Sequence, residues 1–182
     1  MINLFNYSVV IEGGGNFFLK ILEKENATPE YCNWLNDSVV NKYLETKSAS
    51  VNELRKYIVS KFISDKSLLF GIFSKPDNNH IGNIKLEPVD FEKSYATMGI
   101  IIGDKKYWGR GLATEVICVL ADWVFDKLGI KEVNLGVISG NKPAIRVYEK
   151  CGFVKYRIDK KFFNHNGQLF DCIYMRKINT KI

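Results

Sequence analysis

Apolar residues recur every three or four positions in four stretches of the chain, and between these stretches lie short apolar runs bounded by turn residues. The pattern predicts helices interleaved with strands. Tyr31, Trp34 and Leu35 follow a helix-start signal in which Thr28 caps and Pro29 takes the first position. Leu54, Tyr57, Ile58 and Phe62 put one apolar face on a helix over residues 51–63. Leu112, Val116, Val119, Leu120, Trp123 and Val124 form the stripe of a longer helix over 112–128, closed by Gly129. Ala144, Val147, Tyr148 and Cys151 share a face on a last helix, with Asn141 as cap, Pro143 in the first turn and Gly152 at the end. Strands are predicted over 17–22, 68–73, 81–86, 95–102 and 132–137, with a closing hairpin over 153–162 and 170–175 turned by Asn166-Gly167. Residues 76–79 supply the turn between two of the strands. Residues 1–16, with Gly13-Gly14-Gly15, read as a variable leading extension with a flexible turn.

Composition narrows this picture without changing it. A chain of 182 residues, 46% hydrophobic and 13% aromatic, can bury one sizeable core, and no linker divides it. The 26 Lys+Arg against 20 Asp+Glu give a net charge of +6, but the basic residues are dispersed, so a solvated surface accounts for most of them and a nucleic-acid partner is only a minor alternative. Cys32, Cys118, Cys151 and Cys172 are widely spaced among apolar residues, which reads as reduced thiols. His80 and His165 form no metal-spaced group with them, so no metal is expected. No basic segment leads into an apolar leader and no run approaches a membrane span, which points to the cytoplasm.

Two constellations carry the chemistry. In Lys106-Tyr107-Trp108-Gly109-Arg110-Gly111-Leu112-Ala113, two glycines at GxG spacing lead straight into the long helix. Glycine lets a ligand approach the backbone, and a helix N-terminus offers unpaired N-H groups and partial positive charge, so such a turn suits pyrophosphate. The Lys-Ser/Thr of a P-loop is missing, and a dinucleotide fingerprint fails too, with Thr114 in the place of its third Gly/Ala and no strand ending in a ribose-binding acid at the usual distance beyond. The second constellation, Asn141 to Phe153, by itself reads as a capped helix with a packed Tyr148.

Together the two resemble the GNAT superfamily of acyl-CoA-dependent N-acyltransferases. Lys106 to Gly111 matches that family's Arg/Gln-x-x-Gly-x-Gly/Ala signature except at Lys106, and Asn141, Ala144, Tyr148, Gly152 and Phe153 satisfy Asn-x-x-Ala-x-x-x-Tyr-x-x-x-Gly-Phe in register. The resemblance is sharp over residues 96–153 and extends by element order over 17–177. It implies a single α/β domain over 17–178, with a mixed, mostly antiparallel twisted sheet flanked by helices, and acetyl-CoA as co-substrate with no metal.

It also implies roles. A kink in the strand over 95–102 would aim a backbone N-H at the thioester carbonyl, with Ile100, Ile101 and Ile102 along pantetheine. Lys106, Trp108, Gly109, Arg110, Gly111, Leu112 and Ala113 would surround the pyrophosphate, with Asn141 and Arg146 as further cofactor contacts. Tyr148 takes the general-acid place, since a phenol of pKa about 10 stays protonated and can donate to the departing thiolate. The base is open. Where ribosomal-protein N-terminal acetyltransferases often carry Ala-Glu-Ile-Gly, this chain has Ala96-Thr97-Met98-Gly99, leaving Glu87, a water chain or no dedicated residue.

Residues 31–45 resemble the corresponding region of that N-terminal acetyltransferase branch and of enzymes that acetylate nucleotide-linked amino sugars. Trp34 and Tyr43 are candidate stacking platforms for the acceptor. The lost carboxylate and the basic balance favour an anionic small-molecule amine, specifically an amino sugar on a nucleotide carrier. The alternatives are a protein N-terminus, or a CoA-binding module without turnover.

Overall fold

The computed structural model describes residues 9–46, 48–165 and 167–180. Its frame is an eight-stranded sheet in the order β1-β2-β3-β4-β5-β6-β8-β7. In chain order these are β1 (Val10–Glu12), β2 (Phe17–Ile21), β3 (Leu68–Ser74), β4 (His80–Asp90), β5 (Tyr95–Ile102), β6 (Glu132–Ile138), β7 (Val154–His165) and β8 (Gln168–Ile178). Every neighbouring pair is antiparallel except β5 with β6. The helices are α1 (Pro29–Asn36), α2 (Val51–Phe62), α3 (Leu112–Leu128) and α4 (Lys142–Lys150).

Local chemistry sets the helix ends. Thr28 Oγ1 accepts from the Tyr31 amide at 3.2 Å to open α1, and Ser50 and Glu53 cap each other's backbone amides at the start of α2. Gly111 and Gly129 bracket α3, both in the left-handed region. Asn141 Oδ1 accepts from the Ala144 amide at 3.3 Å and starts α4.

Alternation along the strands sends residues to two layers. Phe70, Ile72, Ile84, Leu86, Ala96, Met98, Val133 and Leu135 form one core with Val116, Leu120 and Val124 of α3 and with Ile145 and Tyr148 of α4. On the opposite face, Leu69 packs with Leu22, Tyr31, Leu54 and Ile58 under α1 and α2. Those two helices cover only part of that face. Its remaining positions on β4, β5, β6 and β8 are mostly polar.

Two readings of the sequence are corrected. Val10–Glu12, taken as part of a leading extension, forms edge strand β1 paired to β2, with an ion pair from Lys75 to Glu12 at 2.9 Å. β4 does not stop near residue 86 but runs to Asp90, because a bulge between Leu86 and Val89 places Pro88, which has no N-H to donate, where the ladder is already interrupted. The turn of the last hairpin includes Asn166, which lies outside the described residues, as do residues 1–8; Gly167 has φ +81°.

Candidate active site

β5 and β6 pair in parallel over three residues only, Tyr95–Thr97 against Glu132–Asn134. Beyond this point β5 stays with β4, from Met98 opposite Leu86 to Ile102 opposite Gly82, while β6 stays with β8, from Leu135 opposite Met175 to Ile138 opposite Cys172. Each strand follows its other neighbour, so the sheet opens into a V with its apex at Thr97 and Asn134. The facing backbone edges of residues 98–102 and 135–138 have no strand partner there. One of these groups is used: Trp108 Nε1 donates to the Ile102 carbonyl at 2.8 Å.

On the α3 side, the turn after β5 prepares the helix N-terminus. Asp104 accepts from the Lys106 amide at 2.9 Å and caps a short 3-10 turn over Lys105–Tyr107. Gly109 and Gly111 follow at φ +71° and +84°, and a Cβ on either would meet nothing within 4 Å. Glycine is therefore required for conformation, and the space beside it is open. Thr114 and Glu115 both return to the Gly111 carbonyl, at 2.9 and 3.2 Å, so the amides of Leu112 and Ala113 precede the first intrahelical bond. A phosphate fits such a cradle. Lys106, Trp108 and Arg110 are exposed around it, and Arg146 is exposed on α4.

α4 brings Tyr148 inward. The residue is buried among the same cluster as Met98, Leu135 and Val137 from the arms of the V, and its ring lies 5.9 Å from that of Phe153. Burial, with a smaller effect of Cys151, pushes its hydroxyl up to about 12. The Cys151 thiol donates to the Thr114 carbonyl at 3.3 Å, fastening the end of α4 to the first turn of α3. Ile100 and Ile102 pack toward the same core, whereas Ile101 opposes Asn83 on the other face.

That other face carries two polar clusters beside the apex. The bulge sets Glu87 and Pro88 of β4 opposite Thr97, so Glu87 lies beside the position where a carboxylate is missing. Lys61 from α2 hydrogen bonds to Glu87 Oε1, and Lys85 Nζ reaches Oε2 at 3.1 Å. Partial burial alone raises the Glu87 carboxyl, but hydrogen bonds and charge from the two lysines outweigh it and hold the group below the usual glutamate range. Across the apex, Thr97 Oγ1 donates to Asn134 Oδ1 at 2.8 Å, Asn134 Nδ2 donates to Glu132 Oε1 at 3.0 Å, and Arg176 reaches Glu132 Oε2 at 3.4 Å. A shallow pocket of about 450 Å³ continues from there, with Lys93, Tyr95, Lys131, Glu132 and Asn134 among its walls.

The two aromatics read as stacking platforms are both engaged. Trp34 packs over Gly103, where an added Cβ would come within 2.0 Å of its ring, and crosses His80 at 5.1 Å. Tyr43 donates its hydroxyl to the Gly140 carbonyl at 3.1 Å. Lys61, Lys85 and Asn134 were not singled out from the sequence. Lys85 was legible, two residues before Glu87 on the same strand face; Lys61 and Asn134 join the site only through tertiary contacts. All four cysteines are free, and among the described residues no group of His, Cys, Asp or Glu is placed to hold a metal. No helix among the described residues is long and apolar enough to cross a membrane.

Comparison with known proteins gives this geometry a context. The family profile described as "Acetyltransferase (GNAT) domain" matches residues 18–154. An uncharacterized N-acetyltransferase, p20, from Bacillus licheniformis is 29% identical over 163 residues, covering 86% of this chain and 89% of the relative. The crystal structure of spermidine N-acetyltransferase from Vibrio cholerae, in complex with CoA and spermine, superposes with TM-score 0.83 at 25% identity, covering 91% of this chain and 97% of that one. A ribosomal L7/L12 alpha-N-protein acetyltransferase in complex with coenzyme A shares the fold, with TM-score 0.85 at 16% identity and coverage of 93% and 98%.

Proposed function

The chain belongs to the GNAT family of acetyl-CoA-dependent N-acetyltransferases, and on that premise we propose that its acceptor is a primary amine that also carries an anionic group. The observation that carries this reading is the state of the carboxylates on the polar face. Glu87 is held by Lys61 and Lys85, and Glu132 by Arg176 and Asn134, so the face offers a polyamine no uncommitted carboxylate at these positions. Lys93 and Lys131 lie at the paired ends of β5 and β6, behind the apex, so the positive charge nearest the cleft is that of Lys61 and Lys85. An anion is attracted by such a surface and a polycation is repelled.

Acetyl-CoA supplies the activated acetyl group when bound. The residues of this chain divide the remaining work. The amides of Leu112 and Ala113, exposed past Gly109 and Gly111, hold the pyrophosphate, with Lys106, Arg110 and Arg146 as nearby cations and Trp108 as a wall. Asn141, which also caps α4, contacts the cofactor arm. Backbone along Ile100, Ile101 and Ile102, freed by the splay, lies along pantetheine and donates to the oxygen on which charge develops. Tyr148, protonated throughout the neutral range, donates to the departing thiolate, and the proton that the acylated nitrogen sheds restores the phenol. Glu87, held ionised by two ammonium groups, is a weak base; its role is to fix Lys61 and Lys85 at the acceptor mouth, and the amine arrives already neutral.

The nucleotide-linked amino sugar expected from the sequence falls within this acceptor class, but none of the relatives described above is named for a sugar. A second reading, a polyamine, has the support of the V. cholerae neighbour bound to spermine. Thiol release from acetyl-CoA separates them with three acceptors at matched concentration: an amino-sugar nucleotide, spermidine and a ribosomal-protein N-terminal peptide. The proposal predicts the highest kcat/KM for the anionic amine, falling steeply with salt. Preference for spermidine would reverse it.

A further inference from the structure

One side of α3 faces the end of α4. Thr114, Cys118 and Asp122 follow one another at four-residue spacing on this helix, so they lie in a row on one face. At one end of the row the Cys151 thiol donates to the Thr114 carbonyl at 3.3 Å. At the other, Lys177 Nζ donates to Asp122 Oδ1 at 3.3 Å, and a Cβ on Gly152 would lie 3.8 Å from Lys177 Cε. Cys151 and Gly152 are consecutive, so the middle of the row, Cys118, is brought against Cys151. Both belong to the same packed cluster, and their thiols are in hydrogen-bonding contact.

The two thiols differ in access. Cys151 is buried, whereas Cys118 is only partly so and can be reached from solvent. Burial, and then the adjoining Cys118 thiol, push the Cys151 thiol up; the Lys177 ammonium works in the other direction but is shared with Asp122. Cys151 therefore keeps its proton until a partner sulfur takes its electrons. The other two cysteines sit on different elements. Cys32 Sγ donates to the Ala49 carbonyl at 2.7 Å, and Cys172 lies on β8 against Gly136.

We propose that Cys118 and Cys151 are a modification site, a dithiol that peroxide converts to an intramolecular disulfide, and that this bond weakens the hold on acetyl-CoA. Cys118, its proton lost to solvent, attacks the O–O bond of hydrogen peroxide and becomes a sulfenic acid; the hydroxide that leaves takes up a proton as water. The Cys151 sulfur then attacks the Cys118 sulfur, the S–O bond breaks, and the Cys151 proton departs with the oxygen as a second water. Two thiols are oxidised and one peroxide is reduced. Bonded sulfurs lie closer than touching thiols, and the Thr114 carbonyl loses its S–H donor. The end of α4 is drawn onto α3, one turn from Tyr148 on one helix and one residue from Ala113 on the other. The effect on affinity rests on the proposed placement of the cofactor beside these two helices; the disulfide itself does not.

Two measurements on the full chain test the site. After treatment with equimolar hydrogen peroxide, alkylation of the remaining thiols and peptide mapping by mass spectrometry, the peptides holding Cys118 and Cys151 are expected as one cross-linked pair that dithiothreitol separates, with Cys32 and Cys172 alkylated. Cys118→Ser and Cys118→Ala should give no such pair. Calorimetry on the cross-linked protein is expected to show acetyl-CoA bound more weakly by about fivefold or more, with full recovery after dithiothreitol and no peroxide effect in either variant. Cys118 carried on to sulfinic acid without a cross-link, or a bond that joins Cys32 or Cys172 or two copies of the chain, overturns the site. A cross-link with unchanged affinity overturns its effect on the cofactor. Should the reduced wild-type chain bind no acetyl-CoA, the cofactor placement falls, and the peptide map alone decides the disulfide.

Discussion

Glu87 and Tyr148 show how the same physical cause, burial, ends in opposite states. Burial raises both groups, but only Glu87 has ammonium partners to reverse the effect, so it stays ionised while Tyr148 stays protonated. A carboxyl whose folded value lies below its ordinary range changes charge only in acid, and a phenol near 12 changes only in strong alkali. Neither therefore titrates between about pH 6 and 9. The rise of kcat/KM with pH should accordingly follow the pKa of the acceptor amine. Glu87→Gln is expected to leave that limb in place when profiles are compared for two amines of different basicity; loss or displacement of the limb in the variant would make Glu87 the base. From the sequence, Glu87 stood out as a carboxylate next to a strand-ending proline. Its neutralisation did not, because Lys61 lies 26 residues away on a different element.

Among the elements, the turn into α3 was legible only together with the motif at 141–153, since two glycines ahead of a helix can equally shape a plain tight loop. The structure adds why they must be glycine: each sits at positive φ with nothing nearby for a Cβ to strike. Gly111→Val should thus strain the turn without a clash, costing about 1–3 kcal/mol of local conformational energy. It is expected to weaken acetyl-CoA binding by roughly tenfold or more, measured by calorimetry on folded protein. Gly129→Ala, at φ +65° beyond the other end of α3, supplies the control: lowered stability with unchanged affinity. Helix starts were legible for the same kind of reason, since Thr28-Pro29 and Asn141 with Pro143 are local signals. Strand limits were not. β1 is three residues long beside a glycine run, and β4 passes Pro88 only because a bulge absorbs it.

For the molecule as a whole, the decisive feature is the parting of β5 from β6, and local sequence does not encode where it happens. It depends on β6 following β8 after three parallel pairs, a pairing between residues far apart in the chain. The motifs at 106–113 and 141–153 lie on the helices α3 and α4, which the fold packs against each other beside this opening. The proposed mechanism requires that the freed backbone of β5 and the hydroxyl of Tyr148 meet the thioester within this V. Turnover by Tyr148→Phe is the decisive measurement, because the substitution keeps the buried ring and removes only the donor. The expected result is kcat lower by about 10²-fold or more, with the acetyl-CoA dissociation constant unchanged. A kcat equal to that of the wild-type chain would make Tyr148 a packing residue and contradict that mechanism.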